Sequence, residues 1–216
     1  MNISLILIIL LSYMVGSISG GVLIGKLRNV DIRKQGSKAA GATNAFRTMG
    51  TLFALSVLII DVYKGYFATY YIPNLFLDQT TDLSKSLAGF SAILGHVYPL
   101  YFKFKGGKGV GTALGTLFAF PQFYFPVAIG FSSWCINLIL TGFVSLGSII
   151  AGIVVSVVFL LGNIGIFDEL LTLTVYIILI SIFFVITHRQ NIQRLLNGTE
   201  NQFKKIMIIN LFKKND

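Results

Sequence analysis

Cysteine, histidine, proline and charge are all scarce in this 216-residue chain. One Cys and two His argue against a disulfide framework and against a multi-ligand metal cluster. Cys135 lies in an apolar run and reads as an inert buried thiol rather than a nucleophile. Charged residues make up only 12% of the chain and hydrophobic ones 55%, with a mean hydropathy of +0.80. A soluble domain of that composition would expose far too much apolar surface, so the chain reads as an integral membrane protein. There is no linker rich in Pro or Ser, no internal repeat and no low-complexity segment, which leaves one domain over 1–216. Met1–Leu11 lacks the basic start of a signal peptide, although Ser17-Ile18-Ser19 has the small residues of a cleavage site; a retained first helix is the expectation.

A spanning helix needs about 20 mostly apolar residues, somewhat fewer inside a bundle. On that basis the sequence predicts helices over 3–25, 49–72, 84–101, 110–121, 123–141, 144–163 and 169–188. The fourth is short, and Pro121 and Pro126 would also allow the fourth and fifth to be one kinked span. The net charge of +9 decides between the counts. Seven spans gather every Lys and Arg except Lys64 and Lys85 on one side, with Asp78, Asp82, Asp168 and Glu169 on the other. Cytoplasmic loops carry the basic excess, so the expected fold is an all-α polytopic membrane helix bundle of seven transmembrane helices, N-terminus outside and C-terminus cytoplasmic. The basic charge is then explained by orientation and anion attraction rather than by nucleic acid. In the tail 202–216, apolar residues alternate with lysines, as in a short interfacial amphipathic helix on an anionic leaflet.

Three polar segments fall on the cytoplasmic side of this topology. The most informative is Phe102–Gly111, where Lys103, Lys105 and Lys108 are interleaved with Gly106, Gly107 and Gly109. Ammonium groups beside approachable backbone N–H groups suit an anion. No Gly-Lys there is followed by Ser or Thr, so it is not a nucleotide-binding P-loop. The second segment, Asp31–Arg47, mixes small residues, hydroxyls and amides with Arg47, whose guanidinium matches a phosphate. An ordinary polar loop is its plain alternative, and Thr43 or Asn44 also reads as a helix N-cap. The third is His188–Glu200, in which helical spacing puts His188, Asn191 and Arg194 on one face. A carbonyl cap and a ligand-orienting or proton-transfer role both remain open for His188. Inside the second span, Asp61 and Lys64 are three residues apart, either a structural ion pair or a proton or ion relay.

Taken together and in this order, these segments resemble the bacterial acyl-phosphate-dependent glycerol-3-phosphate acyltransferases of the PlsY family. The resemblance runs over nearly the whole chain. It rests on Gly16-Ser17-Ile18, Asp31-Ile32-Arg33, Gly41-Ala42-Thr43-Asn44 with Arg47, Gly95-His96 with Pro99, Phe104–Val110, and the series His188, Asn191, Arg194, Gly198, Thr199, Glu200. It implies acyl transfer from acyl phosphate to the 1-hydroxyl of sn-glycerol 3-phosphate, giving lysophosphatidate and phosphate. It implies no cofactor, no metal and no obligate protein partner, in a bacterial inner membrane with the active site facing the cytoplasm. On this reading Lys105, Gly106, Gly107, Lys108 and Gly109 hold glycerol 3-phosphate. Ser37, Thr43, Asn44, Arg47 and Ser145 hold the acyl phosphate or the developing oxyanion, and His188 and Asn191 orient or deprotonate the hydroxyl. Asp61 and Lys64 are structural, as is Glu200 as partner of an arginine such as Arg194. Two departures stand out: Lys38-Ala39 replaces the family's usual Gly-Asn after Gly36-Ser37, and Val144-Ser145 stands where a Ser-Ser pair is common.

Two rival functions are weaker. An acyltransferase built on a His-x4-Asp dyad needs an Asp five residues after His96 or His188, and those positions hold Tyr101 and Gln193. A transporter of an organic phosphate fits the basic loops and the Asp61/Lys64 pair. It predicts an internal repeat and polar residues at the midplane of several helices, whereas apart from that pair the spans are apolar with scattered Gly, Ser, Thr and Asn.

Overall fold

The computed structural model describes residues 3–164, 170–204 and 207, and every regular element among them is helical. The helices are α1 (Ile3–Gly16), α2 (Gly20–Leu27), α3 (Ala42–Met49), α4 (Thr51–Tyr70), α5 (Asp82–Val97), α6 (Val110–Leu117), α7 (Tyr124–Thr141), α8 (Val144–Gly162), α9 (Leu171–Thr187) and α10 (Arg189–Leu196). The chain divides into two compact units, 1–121 and 122–216.

In the first unit, α1 packs along α5, and α4 packs against α3, α5 and α6. The α1–α5 crossing is close because both helices offer glycine at it. A Cβ on Gly16 would strike the Ala92 backbone, and one on Gly95 would strike the carbonyl of Tyr13. Lipid tails give apolar side chains little reason to leave them, so backbone approach of this kind is what holds membrane helices together. Ile8, Ala68, Ile72, Ala88 and Ala92 fill the space beside it, and Ile32, Ala45, Phe53, Ala54 and Val57 fasten the first polar segment to α4.

The helix expected over 3–25 is in fact two, α1 and α2, bent by 41°. Ser17 turns its hydroxyl back to the Tyr13 carbonyl at 2.8 Å, and Ser19 caps α2 by accepting from the Val22 N–H. The break strips Ile18 C=O and Gly20 N–H of helical partners, which is costly in apolar surroundings. Side chains of α4 supply them: Lys64 Nζ donates to Ile18 O at 2.6 Å, and Gly20 N–H donates to Asp61 Oδ1 at 3.4 Å.

Among the described residues three segments are long and apolar enough to cross a bilayer: Thr51–Tyr70, Pro121–Thr141 and Val144–Gly162. The number rises to five if each bent pair, α1–α2 and α9–α10, counts as one span. The expected span over 110–121 is the eight-residue α6. Its length, about 12 Å, falls well short of a hydrocarbon layer roughly 30 Å thick. A turn at Pro121–Phe123 separates it from α7, so these are two helices rather than one kinked span.

In the second unit α7 and α8 form a hairpin through Gly142, whose φ of 71° is in the left-handed region. Serines bridge α8 to α9: Ser181 Oγ lies 2.6 Å from Ser156 Oγ and donates to Gly152 O at 3.1 Å. The rings of Phe123 and Phe159 meet at 4.6 Å in the core of this unit. The chain then bends by 55° between α9 and α10, with His188 at the bend. Asp168, Glu169 and most of the tail expected to form an interfacial helix lie outside the described residues. Its described start is anchored by Gln202 Nε2 donating to Thr141 O at 2.8 Å and by Phe203 N–H donating to Gly142 O at 2.9 Å.

Candidate active site

The first polar segment is organised by one side chain. Asn44 is 1% exposed; its Oδ1 accepts from the Ser37 N–H at 2.8 Å. Its Nδ2 faces the carbonyls of Ile32 (2.8 Å), Ala39 (2.9 Å) and Gln35 (3.1 Å). Both Nδ2 protons are therefore spent on closing the loop, and the donated bond to a substrate phosphate expected from the sequence has no proton left to make it. Nor does Asn44 or Thr43 cap the helix: Gly41 occupies the N-cap position and offers no side chain. Thr43 is exposed on the first turn of α3, and Ser37 and Arg47 are partly exposed beside it.

Within the same loop Lys38 has φ +60°. A β-carbon in the left-handed region costs roughly 1 kcal/mol, which accounts for the glycine usual in the resembling family. Lys38→Gly should therefore stabilise the protein by about that amount, read as a rise in the midpoint of thermal unfolding in detergent.

The Lys/Gly segment docks on both this loop and α5. Gly107 N–H donates to His96 O, and Gly106 N–H to Val97 O, each at 3.2 Å, while Ala40 N–H donates to Gly106 O at 3.3 Å. Arg33 adds a second tie, its guanidinium 5.6 Å from the Phe102 ring centroid and its Nη1 3.4 Å from Phe102 O. Asp31 holds that guanidinium in a two-pronged pair at 2.9 and 3.0 Å. The hydrogen bond from Arg33 lowers the Asp31 carboxyl below its ordinary 3.8. Lys105 is left exposed and Lys108 partly so. The two segments thus present Ser37, Thr43, Arg47, Lys105 and Lys108 on a hydrogen-bonded frame. An open groove of about 530 Å³ is lined by Lys26, Asp31, Arg33, Lys34 and Gln35 with Val22, Asn29 and Val30, and takes in none of Ser37, Thr43, Arg47, Lys105 and Lys108.

Beneath the Lys/Gly segment lies a buried polar cluster, of which only the Asp61–Lys64 pair is legible in the sequence. Lys64 Nζ contacts Asp61 Oδ1 at 2.7 Å, His96 Nδ1 at 2.9 Å and Ile18 O at 2.6 Å. Three acceptors match the three N–H bonds of an ammonium. Asp61, Lys64 and His96 are 3%, 5% and 4% exposed. A relay needs a group free to pass its proton on, and this ammonium is fully engaged in holding structure.

In the second unit the corresponding organiser is Glu200. Its Oε1 accepts from Ser145 Oγ at 2.7 Å and from Asn191 Nδ2 at 2.6 Å, and its Oε2 from Arg194 Nε at 2.7 Å. Ser145 was expected to donate to the acyl phosphate; its single hydroxyl proton goes to Glu200 instead. Burial raises the Glu200 carboxyl, but hydrogen bonds from Ser145, Asn191 and Arg194 outweigh it and leave the group below its ordinary 4.5. The stability contributed by a carboxylate lowered in this way is complete above its unfolded value and fades as pH falls through the folded one. Melting measured from pH 7 downward should therefore lose stability below about 4.5. Glu200→Gln should be less stable at neutral pH and show a shallower loss in acid.

His188 is 2% exposed and closes the bend before α10, where Asn191 and Ile192 N–H groups donate to its carbonyl at 2.8 and 2.9 Å. Its ring Nδ1 lies 2.9 Å from Phe184 O. A carbonyl can only accept, so the proton sits on Nδ1 and a neutral ring keeps its lone pair on Nε2. The cap and the potential base are the same side chain used at opposite edges. Among the described residues no group of three or more His, Cys, Asp or Glu is placed to hold a metal ion.

This arrangement is not solitary. Residues 6–198 match the family model described as glycerol-3-phosphate acyltransferase. The glycerol-3-phosphate acyltransferase of Bacillus subtilis is 41% identical over 199 residues, covering 92% of this chain and 97% of its own. Glycerol-3-phosphate acyltransferase 2 of Bacillus anthracis is also 41% identical, covering 91% and 98%. Among solved structures, PlsY, an integral membrane glycerol 3-phosphate acyltransferase crystallised in its glycerol 3-phosphate form, superposes with a TM-score of 0.82 at 32% identity. That likeness covers 97% of this chain and 100% of the other. On family match, identity and fold alike, the chain belongs to the glycerol-3-phosphate acyltransferase family, the membrane-integral enzymes typified by PlsY.

Proposed function

We infer that this chain transfers a fatty acyl group from acyl phosphate to the 1-hydroxyl of sn-glycerol 3-phosphate, releasing lysophosphatidate and inorganic phosphate. The observation that carries the reading is the full-length likeness to a PlsY structure in its glycerol 3-phosphate form. The geometry agrees with it, because both substrates bring phosphates and the first unit carries cationic and hydroxyl side chains on a hydrogen-bonded frame.

In this reading Lys105 and Lys108 hold glycerol 3-phosphate by their ammonium groups. Gly106 and Gly107, whose N–H groups are spent on Val97 O and His96 O, shape the segment rather than take the phosphate-binding role expected from the sequence. Ser37, Thr43 and Arg47 hold the acyl phosphate. Asn44 contributes by closing the loop that carries Ser37, and Ser145 by holding Glu200 beside Asn191. The 1-hydroxyl oxygen attacks the acyl carbonyl, its proton passes to His188 Nε2, and the bond from the carbonyl carbon to the phosphate oxygen breaks. Phosphate is already a good leaving group, so alignment and charge neutralisation supply most of what the reaction needs. The reading extends to one acyltransferase domain over 1–216 with no cofactor, in a bacterial inner membrane with its active face cytoplasmic. Positive charge on the loops supports that orientation.

The test is direct. Purified protein in detergent, given acyl phosphate and labelled glycerol 3-phosphate, should release lysophosphatidate and phosphate in equal amounts. Absence of product, together with uptake of glycerol phosphate by vesicles containing the protein, would replace this reading with a transporter.

A further inference from the structure

The buried Asp61–Lys64–His96 cluster has a geometry that an ion pair joining two helices does not require. It reaches from the α1–α2 break to the underside of the Lys/Gly segment. At one end Lys64 and Asp61 hold Ile18 O and Gly20 N–H. At the other, Lys64 Nζ meets His96 Nδ1 at 2.9 Å. An ammonium has no lone pair, so it donates, and the neutral imidazole carries its proton on Nε2. That edge of the ring faces the backbone of Gly107, where a Cβ would collide with His96 Nε2. The main chain of the same histidine also accepts from Gly107 N–H at 3.2 Å. One residue therefore supports the Lys/Gly segment twice, by its carbonyl and by its ring, and its ring angle is set by Lys64. Gly106 passes the position on to the first polar segment through Ala40 N–H, at 3.3 Å.

We propose that His96, locked by Lys64 and Asp61, is a positioning residue for glycerol 3-phosphate: it sets the height of Gly106 and Gly107 and so the reach of Lys105 and Lys108. It does not touch the substrate itself, being 4% exposed beneath the segment. The proposal rests on the reading that Lys105 and Lys108 hold the substrate phosphate. A charged contact depends steeply on distance, so a shift of the segment weakens binding of the phosphate it faces and leaves the acyl donor's contacts in place.

His96→Asn separates this role from simple support of the fold. The shorter amide keeps an acceptor where Nδ1 was, so Lys64 stays satisfied, while the ring beneath Gly107 is gone. Its KM for glycerol 3-phosphate should rise about 5- to 10-fold, with kcat and the KM for acyl phosphate within about 2-fold of the parent. Gly107→Ala presses on the same contact from above with the cluster intact and should give the same split. Lys105→Ala is measured alongside. If it leaves the glycerol 3-phosphate KM unchanged, the phosphate-holding reading fails. If it raises that KM while folded His96→Asn does not, the positioning proposal fails and the reading stands. An equal rise in both substrates' KM would also overturn the proposal, because it marks general loosening. Should His96→Asn not fold, the split in Gly107→Ala decides, its absence overturning the proposal.

Discussion

His188→Ala is expected to lose about 10²- to 10³-fold in kcat while its KM for glycerol 3-phosphate changes little, the pattern for loss of a positioned general base. The ring is buried at the α9–α10 bend with Nδ1 committed to Phe184 O, so a proton taken by this ring would go to Nε2. Alanine removes that lone pair but leaves the main-chain N–H donors of Asn191 and Ile192 on the residue 188 carbonyl, and leaves Glu200 holding Asn191 and Arg194. Helical content by circular dichroism should therefore be unchanged, while stability falls by roughly 2–4 kcal/mol for the cavity left by the buried ring and the lost bond to Phe184. The decisive measurement is kcat with saturating acyl phosphate. A folded variant that keeps its kcat would move the proton to a substrate phosphate oxygen; the acyl-transfer reaction itself would stand.

Much of this site could be read in the sequence because its chemistry is local. The Lys/Gly segment, Asp31–Arg47 and His188–Glu200 are polar runs in an apolar chain, and charge asymmetry put them on one side. What escaped is non-local. Asn44 was read as a cap or a ligand because one sequence cannot show that four groups between Ile32 and Ala39 converge on its amide. Ser145 and Glu200 are 55 residues apart, and no periodicity announces their bond. The break between α1 and α2 was hidden because every residue from Ile18 to Ile24 except Ser19 is apolar or glycine, so composition alone reads as continuous span. Lys64 and Asp61 stand out as charges in a membrane helix and His96 as part of the Gly95-His96 and Pro99 motif, but nothing in the sequence joins His96 to Lys64, 32 residues before it.

The same break makes Lys64 a position on which stability depends heavily. Lys64→Met should cost roughly 3–5 kcal/mol, because it leaves Asp61 as an uncompensated buried charge. Thermal unfolding in detergent and the yield of monodisperse protein both report it. Lys64→Arg should not rescue, since a planar guanidinium cannot place three N–H groups on Ile18 O, Asp61 Oδ1 and His96 Nδ1 from one atom. The informative comparison is Asp61→Leu combined with Lys64→Met. A buried ion pair that only joins helices can often be exchanged for apolar residues without loss. Here the exchange would also strip Ile18 C=O and Gly20 N–H of their partners at a helix break inside an apolar unit. The double variant should consequently recover part of the loss but remain about 2–4 kcal/mol below the parent, the value of two orphaned buried backbone groups at about 1–2 kcal/mol each. Full recovery would show that the cluster acts as a charge pair alone, and that something else holds α1 and α2 at their angle.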